Sequence, residues 1–283
     1  MLIQIRMSFF IYNGKFFKEG TSVITPDNHS FRYGDGLFET IKMVKGKLLL
    51  REYHFERLFN GMHILAFHVP AAFTPNFLEK EIISLAEKNM HDNTIRIRVM
   101  VFRGNGGLAE PENDLPNYII QTWNLPDSTG LNTNGFIIDV YPDVKKSCDK
   151  LANLKTNNFL PYSLAAMYAK KNKFDDCILL NNLDRICDTS VANIFIIKDK
   201  KIFTPPLTEG CIAGVMRRWI VEKIKIEDNV IIEKPLSIED IKQADEVFLT
   251  NSIYPVRWVK QFQNVQYNNT QVQLIYNELI KTF

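Results

Sequence analysis

The 283-residue sequence reads as an α+β protein of two domains. Three observations predict it. Runs with strand spacing and runs with helical spacing follow one another without the regular βαβ alternation that builds a doubly wound sheet. Turn pairs ending in glycine, Asn13-Gly14 and Lys45-Gly46, each split two β-rich runs in the manner of a tight hairpin. The stretch "NLPDSTGLNTNG", residues 124–135, gathers Pro, Gly, Asn, Asp, Ser and Thr without apolar periodicity, as a connection between domains does. The expected division is a small N-terminal domain, 1–123, an interdomain loop, 124–135, and a larger domain, 136–283.

Each element follows from local pattern. "MSFFIYNGKFFKEG" opens the chain as a hairpin, and residues 37–50 form a second one. In "REYHFERLFNGMHILAF" the spacing of Phe55, Leu58, Phe59 and Met62 switches to a helix, and another helix is expected over 77–90. "TIRIRVMVFRG" alternates as a strand that ends at the Gly104 to Gly107 turn, and "NYIIQTW" adds a further strand. Beyond the connection come a strand "FIIDVYP", a helix after Lys155, a strand "CILLNN", a turn at Leu183-Asp184 and the strand pair "VANIFIIKD" and "KKIFTPP". A helix starts near Gly214 in "GVMRRWIVEKI", and the strand "EVFLTNS" runs into "IYPVRWV".

Composition narrows the function. Forty-six per cent hydrophobic and 23 per cent charged residues suit a globular protein with a proper core. A net charge of +2, with no Lys-Arg block longer than a dipeptide, gives no basic field for nucleic acid. The four cysteines, Cys148, Cys177, Cys187 and Cys211, form no Cys-x-x-Cys pair, and no histidines stand at ligand spacing on a helix, so no metal is expected. The N-terminus lacks the pattern of a secretory leader, and no apolar run is long enough to span a bilayer. A reduced, cytoplasmic protein acting on a small molecule, without nucleic acid or membrane, is the expectation.

Candidate chemistry begins with Lys155, set in "LANLKTNNFLPYSLAAMYAKKNK" at the joint between an apolar strand-like run and an apolar helix-like run. A lysine taken at random faces water; one at such a joint can project into a cleft. In "RICDTSVANIFIIKD", Asp188, Thr189, Ser190 and Asn193 lie between a turn and an apolar strand, which a polar strand edge also explains. "EGCIAGVMRRW" places small residues before a helix start, where free backbone N–H groups could hold a phosphate, although a plain helix start has the same look. Thr250, Asn251 and Ser252 follow a buried-looking strand with the donors that would finish such a cup.

In order and spacing, "FRYGDGLFETIKMVKGKLLLREYHFERL", "LKTNNFLPYSLA", "DTSVANIFIIKDKKIFTPP", "GVMRRW" and "EVFLTNSIYPV" resemble the class IV aminotransferases. These are fold-type IV pyridoxal 5′-phosphate enzymes that include branched-chain and D-amino acid aminotransferases and aminodeoxychorismate lyases. The resemblance spans residues 31–258. It implies the D-amino acid aminotransferase-like fold, a small α/β domain with a larger β-rich domain carrying helices and the cofactor. A homodimer is implied as well, with a small-domain loop reaching the neighbouring site.

Residue by residue, the resemblance implies that Lys155 bonds covalently to pyridoxal 5′-phosphate and that Arg57 of "HFERL" reaches its phosphate. Asp188 falls where the family usually has a glutamate opposite the pyridine nitrogen; it is one methylene shorter but can still hold a proton there. The backbone of Val215 and Met216 would hold the phosphate, with Asn251 and Ser252 closing the cup. Met216 stands where many relatives have a threonine, and Phe159 lies near the place of a tyrosine whose hydroxyl touches the cofactor. Both departures remove a hydroxyl. The physical logic agrees: a lysine that attacks a carbonyl must spend time unprotonated, and the amine it later regains can act as a general base.

The choice of reaction leans towards the lyase branch. "FETIKM", "GVMRRW" and "TNSIYPV" resemble lyase patterns more than those of branched-chain enzymes. In that reaction Lys155 removes the ring proton of 4-amino-4-deoxychorismate, pyruvate leaves, and 4-aminobenzoate remains; Thr40 is the hydroxyl that assists at the leaving group. Against this, Arg98 falls where branched-chain enzymes bind a carboxylate and Arg103 where D-amino acid enzymes do. Strand alternation sets Arg98 and Arg103 on opposite faces, and Arg96 is expected as a surface strand arginine. Tyr33 and Phe38, with Phe31, are expected to line the substrate pocket, core packing being the other reading for Phe31 and Phe38. The alternative activity is transamination of branched-chain L-amino acids or D-amino acids with 2-oxoglutarate. A non-catalytic binding protein is a remote third, disfavoured because Lys155 is present.

Overall fold

The computed structural model describes residues 8–126, 130–223 and 231–280. Residues 1–7, the 127–129 part of the expected connection, and residue 224 at the end of the helix expected from Gly214 lie outside the described residues. The chain divides into two compact units, Met1–Ser128 with Lys155–Asn158, and Thr129–Leu154 with Phe159–Phe283. The first unit therefore takes Lys155, which a single cut at 124–135 would leave with the later residues.

In the first unit, β1 (Phe9–Tyr12) and β2 (Lys15–Lys18) form the opening hairpin, with Asn13 and Gly14 at φ 46° and 78°. Positive φ at both turn positions is what Asn-Gly accepts most readily. A short helix α1 (His29–Tyr33) is capped by the Asn28 side chain and leads into β3 (Gly36–Val44) and β4 (Lys47–Leu48), the second hairpin. Helices α2 (Arg51–Ile64) and α3 (Pro75–Lys88) follow, then β5 (Thr94–Phe102) and β6 (Asn117–Asn124). Helix α3 starts two residues before the expected 77 because the Thr74 hydroxyl accepts from Phe77 N–H and Pro75 needs no N–H partner at the first position.

Among the described residues the sheet has six strands, in the order β2-β1-β6-β5-β3-β4. Alternation gives it two faces. Ile95, Ile97, Val99 and Val101 point to the buried side and are at most 1% exposed, as are Phe55, Leu58 and Met62 of α2 within a few per cent. Each such side chain contributes about 1.5–3 kcal/mol on burial. Phe38, Thr40, Arg96, Arg98 and Met100 occupy the other face.

The second unit comprises β7 (Phe136–Lys146), α4 (Leu160–Asn172), β8 (Asp176–Asn181), β9 (Ile186–Thr189), β10 (Asn193–Lys198), β11 (Lys201–Thr204), α5 (Val215–Lys223), β12 (Ile231–Glu233), α6 (Ile238–Lys242), β13 (Glu246–Thr250), β14 (Arg257–Phe262), β15 (Val265–Gln266) and α7 (Thr270–Ile280). The described strands form one mixed sheet, β12-β11-β10-β13-β14-β7-β8-β9, with β15 beside β14. Ile178, Ile194, Val247, Val259 and Phe262 form the heart of one core, and Tyr141, Tyr162, Ala165, Cys187 and Cys211 belong to another beside α4. The sequence reading did not anticipate β9, β12, β15, α1, α6 or α7; "ICDT" is a strand, and Asp188 and Thr189 lie on it. Among the described residues no helix is long and apolar enough to cross a membrane.

Candidate active site

Lys155 is held by backbone pairing to β3. Phe38 N–H donates to the Lys155 carbonyl at 2.9 Å, Asn157 N–H donates to the Gly36 carbonyl at 2.8 Å, and Leu37 bridges Thr156. Gly36 permits this approach, since a Cβ there would meet Asn157 Nδ2 at 2.4 Å and the Val101 carbonyl at 2.5 Å. The lysine side chain is half-buried, with Nζ 4.5 Å from the centroid of the Phe38 ring. The Arg98 guanidinium stacks on the same ring at 4.1 Å, and Arg98 is the register partner of Thr40 across β3 and β5. Two cations, an aromatic ring and a hydroxyl thus meet on one sheet face.

The opposite face of β3 carries Glu39, buried and 1% exposed. Arg57 of α2 grips it bidentately, Nε to Oε1 at 2.7 Å and Nη2 to Oε2 at 2.6 Å, while His54 Nδ1 lies 2.7 Å from Oε2. Burial alone would raise the Glu39 carboxyl, but the charges and hydrogen bonds of Arg57 and His54 outweigh it and hold it down at about 2. An ionised carboxylate only accepts, so the geometry asks His54 Nδ1 to carry the proton. Burial pushes the imidazole below its ordinary value; Glu39 opposes this, and the charges of Arg57 and Lys155 reinforce it. Arg57, expected at a phosphate, is thus anchored from behind by a buried acid that the sequence reading passed over.

Arg103 follows β5 and is buried, as alternation predicts, away from Arg98. Its guanidinium donates to Asp35 at 2.8 Å, to Asp114 at 3.1 Å and to the Leu65 carbonyl at 2.5 Å, and it covers the Phe67 ring. Those contacts tie loops together and engage the guanidinium of Arg103, the residue expected as a substrate-carboxylate ligand, with two acids of the same unit. Arg96 is exposed beside Trp123, a surface residue as expected. Phe38 is buried, whereas Phe31 is 73% exposed and so is no core residue. Tyr33 is exposed too, its hydroxyl donating to the Leu108 carbonyl.

In the second unit Asp188 on β9 is 2% exposed and collects four donors. Oδ2 accepts from Lys146 Nζ at 2.9 Å, Tyr162 Oη at 2.7 Å and Ile212 N at 2.9 Å; Oδ1 accepts from Asn193 Nδ2 at 2.8 Å. Neither Lys146 nor Tyr162 was singled out in the sequence. The pair "KK" at 145–146 resembles a solvated end of a strand, and only the alternation of β7 separates exposed Lys145 from buried Lys146. Phe159 stacks on Tyr162 at 4.2 Å.

Helix α5 begins at Val215, whose side chain is buried like that of Met216, leaving their backbone N–H groups at the helix start. Gly214 just before it has no room for a side chain, because a Cβ would lie 1.8 Å from Asn193 Oδ1. The Thr250 hydroxyl at the end of β13 is buried with no partner among the described residues. Asn251 uses its side-chain oxygen locally, accepting from Ile253 N at 3.0 Å and Tyr254 N at 2.8 Å, and Ser252 is half-buried beside it. A helix start and an orphaned hydroxyl suit an anion; a polarised carboxylate suits a protonated ring nitrogen.

The family model described as amino-transferase class IV matches residues 36–262. An aminodeoxychorismate lyase of Vibrio harveyi is 30% identical over 233 residues, covering 81% of this chain and 83% of its own. A putative branched-chain-amino-acid aminotransferase of Methanocaldococcus jannaschii is 27% identical over 276 residues, covering 96% and 93%. Among solved structures, the branched-chain amino acid aminotransferase from Escherichia coli superposes with a TM-score of 0.86 at 21% identity, covering 98% of this chain and 94% of that one, a likeness of fold.

Proposed function

Since the chain belongs to the class IV aminotransferase family of pyridoxal 5′-phosphate enzymes, we propose that it is a lyase converting 4-amino-4-deoxychorismate to 4-aminobenzoate and pyruvate. The observation that carries this reading is the register pairing of Thr40 with Arg98, on the sheet face where Arg98 and Lys155 share the Phe38 ring. A base, a hydroxyl and a carboxylate-binding cation are what the elimination needs close together. The three lyase-like sequence stretches and the identity to the Vibrio harveyi protein support the same choice.

The residues present fit the cofactor. Lys155 would hold it covalently, the backbone of Val215 and Met216 with Arg57, Asn251 and Ser252 would hold its phosphate, and Asp188 would face its ring nitrogen. Bound there, pyridoxal 5′-phosphate supplies an electron sink for the charge left when a proton leaves the substrate carbon. The chain's own residues do the rest. Lys155 Nζ takes the ring proton, the Thr40 hydroxyl passes a proton at the departing enolpyruvyl group, and Arg98 fixes a substrate carboxylate through paired N–H donors. The reading includes a homodimer in a reducing compartment.

Transamination is the second reading. It draws on the Methanocaldococcus jannaschii relative and on Arg98 as a carboxylate site, with branched-chain L-amino acids or D-amino acids as donors and 2-oxoglutarate as acceptor. Product release from 4-amino-4-deoxychorismate with no keto acid present separates the two, since only transamination requires the acceptor.

A further inference from the structure

Lys146 ends β7 with its side chain turned inward and 7% exposed, while its neighbour Lys145 reaches out to Asp184. A buried ammonium needs three acceptors, and this one has them: Asp188 Oδ2 at 2.9 Å, the Gly210 carbonyl at 2.5 Å and the Tyr162 hydroxyl. The Tyr162 hydroxyl in turn donates to Asp188 Oδ2, so lysine, tyrosine and aspartate close a triangle. With the Ile212 amide, three donors saturate Oδ2. Among the described residues Oδ1 receives only Asn193 Nδ2 and keeps one lone-pair direction open. The carboxylate is thus fixed in rotation, one oxygen fully engaged and the other half-engaged.

We propose that Lys146, with Tyr162, is a positioning residue that holds the Asp188 carboxylate with Oδ1 presented to the ring nitrogen of pyridoxal phosphate, and that the Lys146 charge moderates how strongly the ring holds its proton. This rests on Asp188 being the carboxylate at the ring. An aspartate has less reach than a glutamate, and a clamp that sets its rotation compensates for the missing methylene. The second effect is electrostatic: an ammonium beside the carboxylate offsets the negative charge that a protonated ring would otherwise feel.

The groups that face this pair leave it as the charged couple there. Tyr162 on α4 is pushed well above its ordinary value by burial and by Asp188. Burial and Asp188 likewise raise the Cys187 thiol on β9, and the Cys211 thiol before α5 to about 12. Burial works against the Lys146 proton, but the Asp188 charge holds it on. The Arg217 charge on α5 opposes the rise of the Cys211 thiol, and Asp149 is lowered first by its hydrogen bonds to Ser147 and Leu151, with the Lys146 charge adding to them.

The test is a pH titration of the ring nitrogen by nitrogen NMR in protein loaded with ring-labelled pyridoxal 5′-phosphate, together with the dissociation constant of the cofactor for the apoprotein. Lys146→Met is expected to raise the titration midpoint by about one pH unit, the effect of removing one charge at this range, and to weaken cofactor binding about tenfold. Lys146→Arg, which keeps the charge, is expected to restore the midpoint. Tyr162→Phe keeps the charge but frees the carboxylate, so it is expected to weaken binding with a midpoint near that of the parent protein. An unchanged or lowered midpoint with unchanged affinity in Lys146→Met, accompanied only by a lower melting temperature, overturns the proposal and leaves Lys146 a structural residue. Asp188→Asn tests the premise separately: if it leaves both midpoint and affinity unchanged, Asp188 does not face the ring and the assignment beneath the proposal fails.

Discussion

Arg57 and Glu39 meet as a bidentate pair across α2 and β3, Nε to Oε1 at 2.7 Å and Nη2 to Oε2 at 2.6 Å, with the carboxylate 1% exposed. Two consequences follow. The pair fixes the direction of an arginine assigned to a phosphate, and it links stability to pH. A carboxylate held at about 2 when folded contributes stability that is present above its unfolded value, near 4.5, and lost as pH falls through about 2. The shift corresponds to about 3 kcal/mol. Buried His54, pushed below its ordinary value, adds to the acid loss because unfolding lets it take up a proton below about pH 6.5. Glu39→Gln is expected to cost about 3 kcal/mol at pH 7 and to flatten the stability curve between about pH 5 and 2. Urea unfolding at stepped pH measures both; a curve parallel to that of the parent protein contradicts the account.

Lys155 is expected to be the residue fixed to the cofactor. Borohydride treatment followed by peptide mapping should place the pyridoxyl group on Lys155, and Lys155→Ala should lose the linkage and nearly all turnover. Label recovered on Lys146, the other inward-facing lysine discussed above, would reverse the assignment.

The two arginines of the 94–103 stretch should part company. Arg98→Met is expected to lower kcat/KM about 10- to 100-fold, mainly through KM, with little change in stability. Arg103→Met leaves Asp35 with His29 as its remaining ion-pair partner and frees the Leu65 carbonyl, and is expected to destabilise the fold by about 3 kcal/mol while leaving KM within about twofold in the protein that folds. Denaturation and steady-state kinetics on both variants check this; a KM effect for Arg103 alone contradicts it.

Thiol reactivity follows burial. Cys177, Cys187 and Cys211 are buried, and burial is the main cause lifting each thiol, to about 12 for Cys177 and Cys211. Cys148 is exposed. At pH 8 an aromatic disulfide reagent is expected to titrate one thiol quickly and the other three only after unfolding. Three or four fast equivalents in the native protein would contradict the burial described.

Much of this was legible in the sequence, for physical reasons that differ by element. The hairpins at Asn13-Gly14 and Lys45-Gly46 announce themselves because few residues tolerate positive φ in succession, and both turns adopt it. Alternation in 94–102 assigns faces correctly, including the separation of Arg98 from Arg103. What stayed hidden are polar residues whose partners are distant in sequence. Glu39 meets residues 15 and 18 positions away, and Lys146 meets Asp188 at 42. Nothing local distinguishes a buried lysine at the end of "VKK" from a solvated one. Strand β9 was missed because it is only 4 residues long and carries an aspartate, a residue depleted in strands, although all four of its residues are buried.

The most direct test of the central claim is to give the purified, cofactor-loaded protein 4-amino-4-deoxychorismate in the absence of any keto acid and to follow 4-aminobenzoate and pyruvate together. The account predicts multiple turnovers with the two products in equal amounts. No release from a protein that visibly binds its cofactor, together with amino transfer from a branched-chain L-amino acid or a D-amino acid to 2-oxoglutarate, would contradict it.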